Sequence, residues 1–109
     1  MRLAELHTMQ ARQMRERDLE EHVRALCTAL GITRVHHLRS QGTTPGWPDD
    51  ALLGSRGAVF AELKTEAGRV TPAQDAMHTR MRAAGLTVVV WRPSDLLCGE
   101  IEATLRGIA

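Results

Sequence analysis

The chain has 109 residues, enough for one sheet with flanking helices and too few for two independent cores. Its net charge of +1 neither supports nor excludes a polyanionic partner, since acidic residues gathered in one place cancel basic ones elsewhere. No apolar run approaches the roughly 18 residues of a membrane span, and no leader pattern opens the chain, so a cytoplasmic protein is expected.

Residues 1–15 read as a helical extension with Leu3, Leu6, Met9 and Met14 loosely spaced. An arm, an added helix and a dimer contact all remain open for it. Residues 16–109 read as a single domain. Leu19, Val23, Leu26 and Leu30 step by four, three and four, which predicts an amphipathic helix ended by Gly31. Cys27 falls on that apolar stripe, so a buried thiol is expected there and no disulfide to the distant Cys98. Residues 32–38 read as a first strand, and 39–48, with two Gly, two Pro and two Thr, as a loop.

Residues 50–53 and 58–65 form a predicted hairpin around Gly54-Ser55-Arg56-Gly57. Thr71-Pro72-Ala73-Gln74 then opens a helix: Thr71 as N-cap, Pro72 at the first helical position, and Gln74 placed to close a capping box. Met77, Met81 and Ala84 carry its apolar face and Gly85 ends it. Val88 to Trp91 predicts a buried strand, and a last helix follows from Pro93 through Leu105. The order is α-β-β-β-α-β-α, preceded by the extension.

Side chains alternate faces along a strand, so Val59, Ala61 and Leu63 point one way while Glu62 and Lys64 point the other. A carboxylate beside an ammonium in an apolar strand is costly unless something compensates, and a metal ion with a phosphate would do so. Asp49 opens the neighbouring strand, and the tight turn brings it toward Glu62. Two carboxylates suit Mg²⁺, with water and substrate oxygens completing the octahedron. Lys64 is the only lysine among fourteen basic residues. Guanidinium does not replace a compact ammonium beside a reacting phosphate, which makes that single placement informative. Without the adjoining Pro48-Asp49 turn, an exposed ion pair on an edge strand would explain Glu62 and Lys64 as well.

Gly46-Trp47-Pro48-Asp49, Phe60-Ala61-Glu62-Leu63-Lys64 and Gly68-Arg69-Val70-Thr71-Pro72-Ala73-Gln74, followed by Ala84-Gly85-Leu86 and Val89-Val90-Trp91-Arg92-Pro93, resemble the VRR-NUC branch of the PD-(D/E)XK nuclease superfamily. The resemblance runs from Glu16 onward. It implies an α/β, restriction-endonuclease-like αβββαβ core with a central mixed sheet flanked by helices. It also implies a Mg²⁺-dependent nuclease, with Mn²⁺ able to substitute, in which Asp49, Glu62 and Lys64 are catalytic. Asp49, Glu62 and the Leu63 carbonyl would be metal ligands. Gln74 matches a glutamine characteristic of the branch near the active site, which adds it to the expected catalytic set, although the capping box explains it equally.

The resemblance further calls for an acid from the first helix of the core. Glu16 lies at that position and Glu20 one turn later, with Glu16 the favoured residue. A histidine after the first strand falls on His36 or His37, depending on the direction of counting. Asp50, where the branch has an apolar residue, reads as a polar edge position or an extra acid. Stand-alone members form homodimers that cut branched DNA such as Holliday junctions, so DNA and a second copy are the expected partners. Two other readings compete: a non-catalytic DNA-binding or assembly subunit, and a metalloprotein using Cys27, Cys98, His36, His37 and His78, whose spacing suits zinc poorly.

Overall fold

The hydrophobic stripe of the second helix decides the architecture, because Leu19, Val23 and Cys27 are buried to 1% exposure or less and need a sheet to cover them. The structure, a computed structural model, describes residues 1–37 and 44–109. Its elements are α1 (Leu3–Gln13), α2 (Glu16–Leu30), β1 (Thr33–His36), β2 (Asp50–Leu53), β3 (Ala58–Leu63), α3 (Pro72–Ala83), β4 (Val88–Trp91), α4 (Pro93–Leu97) and α5 (Glu100–Ile108). Among the described residues, no helix is long and apolar enough to cross a membrane.

The sheet order is β1-β2-β3-β4. β1 and β2 pair antiparallel from Thr33↔Leu53 to His36↔Asp50, and β2 and β3 from Asp50↔Ala61 to Leu53↔Ala58. β3 and β4 pair parallel, from Phe60↔Val88 to Leu63↔Trp91. A parallel pair needs a crossover, and α3 supplies it. The sheet is therefore mixed and flanked by helices, as the α/β expectation required.

One face of the sheet carries the main core. Leu52, Ala61, Leu63 and Trp91 meet Leu19, Val23 and Cys27 of α2 and Ile101 and Leu105 of α5. α3 covers part of the other face, where Phe60 meets Trp47 edge-to-face at 5.7 Å. Gly46, at φ +83°, packs its backbone onto the start of α3, so close that a Cβ there would lie 2.2 Å from the Ala73 carbonyl oxygen. Only glycine fits that contact.

Several expected boundaries move. β1 is shorter than residues 32–38; residue 38 and the loop residues 39–43 lie outside the described residues. The single last helix is two, α4 and α5, broken at Gly99 with φ +85°. α1 is helical and packs on its own domain through Ala11, which is 2% exposed, against α4; Leu3, Leu6 and Met9 face outward.

Candidate active site

β2 ends its pairing at Asp50↔Ala61. One step further Asp49 stands opposite Glu62, and directly opposed residues share a face. Asp49 and Glu62 thus lie on the face turned away from the main core, with Lys64 two residues on. Glu62 is 1% exposed, and Asp49 and Lys64 are half-buried. Because β3 is an inner strand, an exposed ion pair at a sheet edge is excluded.

The Asp49 main chain stays tied to β1, with His37 N donating to its carbonyl at 2.6 Å. Its side chain turns to β3, where Oδ2 accepts the Leu63 N–H at 2.9 Å. In an extended residue N–H and C=O point to the same side, so the Leu63 carbonyl also projects toward β2, beyond the last paired residue. On the other side, Lys64 N donates to the Trp91 carbonyl at 3.0 Å, which anchors the lysine to β4. Asp49, Glu62, the Leu63 carbonyl and Lys64 are therefore gathered at one end of the sheet.

Two devices stiffen this end. The Arg92 guanidinium donates from Nη1 to the carbonyls of Thr65 (2.8 Å), Glu66 (3.2 Å) and Gly68 (2.6 Å), holding the chain just after Lys64. The capping box of α3 is formed: Gln74 N donates to Thr71 Oγ1 at 3.1 Å and Thr71 N to Gln74 Oε1 at 2.9 Å. Such a cap contributes about 1 kcal/mol. Gln74 is also 3% exposed, and its backbone N adjoins the Gly46 contact.

His78, one turn after Gln74, was legible only as part of a poor metal set. The structure buries it to 1% exposure. Burial pushes its pKa down; Arg82 and Lys64 act in the same direction, and Asp75 and Asp49 oppose them. The two sheet charges that reach this ring are those of the candidate site.

The acids on the opposite face behave differently. Asp50, expected at a polar edge, is instead 1% exposed on an inner strand. It takes Arg34 Nε at 3.1 Å and His36 Nδ1 at 2.8 Å, while Arg34 Nη2 reaches Glu20 at 2.7 Å and His36 Nε2 lies 3.6 Å from the same Glu20 oxygen. Of the two candidate helix acids, Glu20 is drawn into this network. Glu16 stands exposed in the first turn of α2, with no hydrogen bond or ion pair among the described residues. His36 belongs to the network, whereas His37, one residue on, projects to the Asp49 side. Cys27 is buried near Asp50, and burial, with that carboxylate adding to it, pushes its thiol pKa up; Cys98 is exposed.

Among the described residues, no three His, Cys, Asp or Glu side chains converge on one metal position. The site end offers two carboxylates and a carbonyl, which fits a Mg²⁺ centre because that ion keeps several waters and takes substrate oxygens.

A four-stranded mixed sheet with helices on both faces and an Asp, Glu-x-Lys set at its open end defines a nuclease-type fold. A solved structure described as a VRR_NUC domain matches this chain with a TM-score of 0.68 and 28% identity, covering 80% of this chain and 94% of that one. The chain is thus similar to that domain over most of its length and shares its nuclease-type fold. No family profile and no curated protein matches it by sequence.

Proposed function

We propose that the chain is a metal-dependent DNA endonuclease that hydrolyses phosphodiester bonds and selects branched DNA, such as a Holliday junction, by structure. The observation that carries this is the Asp49–Glu62 juxtaposition across the end of the β2–β3 ladder, with the Asp49 carboxylate fixed on the Leu63 N–H. Asp49, Glu62 and the Leu63 carbonyl would hold Mg²⁺ or Mn²⁺, and Glu16 or Glu20 is the acid that α2 would bring. When bound, the cation supplies Lewis acidity at the phosphoryl oxygen and charge stabilisation at the leaving oxygen. Lys64 offsets charge that develops on the phosphate, and it is effective because the neighbouring Glu62 position is shielded from water. Gln74 stiffens the wall of the site. Single-site catalysis of paired cuts calls for a homodimer, whose two-fold axis relates two sites as it relates the strands to be cut.

The decisive experiment is a cleavage panel of linear duplex, single strand, flap and four-way junction with Mg²⁺, Mn²⁺, Ca²⁺ or EDTA. Cutting of the junction in Mg²⁺ and Mn²⁺, binding with little turnover in Ca²⁺, and no cutting in EDTA are expected. Cutting in excess EDTA would refute the metal role. Junction binding without turnover in any metal would assign the non-catalytic role instead. Light scattering should give a dimer, and removal of residues 1–15 tests whether Leu3, Leu6 and Met9 form its contact.

A further inference from the structure

We propose that His78 is a positioning residue for the cleavage reaction, its Nε2 accepting a hydrogen bond from the Lys64 ammonium through an intervening water. The inference rests on the nuclease reading above and extends it to a residue on a different element.

Buried polar atoms are paired in the great majority of cases, so an exception calls for an explanation. Nε2 of His78 is buried and has no hydrogen-bond partner among the described residues. The ring lies on the α3 stripe formed by Gln74, His78 and Met81, all at 4% exposure or less. That stripe faces the side of the sheet carrying Asp49, Glu62 and Lys64. Apolar packing alone would favour leucine here, because an unpaired imidazole costs stability. A buried polar group with no protein partner is commonly satisfied by a bound water, which can also bridge to a second polar group.

Lys64 supplies a donor of the right kind. Its ammonium has three N–H groups on a four-carbon stem, and without a fixed partner that flexibility opposes the aim that transition-state stabilisation needs. Imidazole accepts through one nitrogen only when uncharged, and burial, the largest influence on this ring, favours that form, with Arg82 and Lys64 adding to it and Asp75 and Asp49 opposing. Gln74 and His78 are one helical turn apart, so the capping box that fixes the start of α3 also fixes the depth of the ring.

The test compares His78→Leu, His78→Gln and His78→Asn in junction cleavage with Mg²⁺, alongside junction affinity in Ca²⁺ and thermal unfolding. His78→Leu should lower kcat about 10- to 100-fold, the range for groups that orient a reactive residue, with KM and affinity unchanged and Tm equal or higher. His78→Gln, whose amide oxygen reaches near the Nε2 position, should restore part of kcat; the shorter Asn should not. In a Lys64→Ala background, His78→Leu should cost nothing further. Wild-type kcat in His78→Leu would overturn the proposal, as would a loss that follows a fall in Tm or that adds in full to Lys64→Ala. Absence of cleavage by the wild-type protein would overturn the nuclease reading and this inference together. Cleavage by wild type and His78→Leu alike would overturn only the latter.

Discussion

Asp49 and Asp50 are neighbours in sequence and opposites in circumstance. The strand period of two sends Asp50 to the α2 face, where Arg34 and His36 clasp it, and Asp49 to the α3 face, where a backbone N–H takes one oxygen. Around Asp50 the charges answer one another inside the fold, with Arg34 lying between the carboxylates of Asp50 and Glu20, although Asp50 Oδ2 accepts no hydrogen bond among the described residues. At the Asp49 end, carboxylates, a carbonyl and an ammonium gather where the β2–β3 ladder stops. One face uses charge to hold helix to sheet, and the other is the one to which the proposed function assigns a ligand. The comparison teaches that burial alone does not mark a functional acid. What sets Asp49 apart is that its carboxylate turns to the Leu63 N–H where the backbone pairing ends.

Substitutions at the open end should give the largest effects. Lys64→Arg places a wide planar group where a point charge is needed and should cut the cleavage rate at least about 10²-fold, with unfolding unchanged. A folded Lys64→Arg protein at near-normal rate would reduce the lysine to a structural charge and erase the distinction between the faces.

Asp50→Asn should do the reverse. Removing one member of a buried ion pair costs about 3–5 kcal/mol, and the lower end is expected because Arg34 keeps Glu20. Denaturant midpoints should drop accordingly, while protein that remains folded cuts DNA at close to the normal rate. An activity loss without a stability loss would move Asp50 to the functional side of the comparison.

The smallest effect is in pH. The unfolded chain protonates His78 near its ordinary value of about 6.5, while the folded ring resists protonation because it is buried beside Arg82 and Lys64. The unfolded state therefore binds more protons as pH falls, and stability present above about pH 6.5 is lost as pH drops through the lower, folded value. Unfolding midpoints between about pH 6.5 and 5 should show this slope in wild type and a flatter one in His78→Leu.

Much of this arrangement could be read from the chain because it is written in local rules. The alternation of Val59 to Lys64, the Gly54–Gly57 turn and the Thr71–Gln74 box each specify geometry within a few residues, and together they place Asp49 beside Glu62. Where the reading fell short, the cause lies in distant contacts. The break between α4 and α5 depends on Gly99 taking φ +85°, which periodicity across Leu96, Ile101 and Leu105 conceals. Asp50 looked like an edge residue because the side chains that clasp it stand 14 and 16 residues earlier in the sequence. The pairing of Glu20 with Arg34 is likewise a tertiary effect that helical spacing does not carry. His78 gave a faint signal, one turn past Gln74 on the buried side, and a lone histidine on a helix face usually signifies nothing more than packing.

The edge-to-face contact of Trp47 with Phe60 has an optical consequence. The chain has two tryptophans, and they occupy unlike surroundings: Trp91 is 2% exposed in the main core, and Trp47 is 37% exposed two residues ahead of Asp49. Indole emission depends on contact with water and on nearby charge, so one fluorophore reports whether the core is intact and the other what arrives at the open end of the sheet. Trp47→Phe and Trp91→Phe single variants separate the two signals, and they turn the molecule into its own sensor without an attached dye.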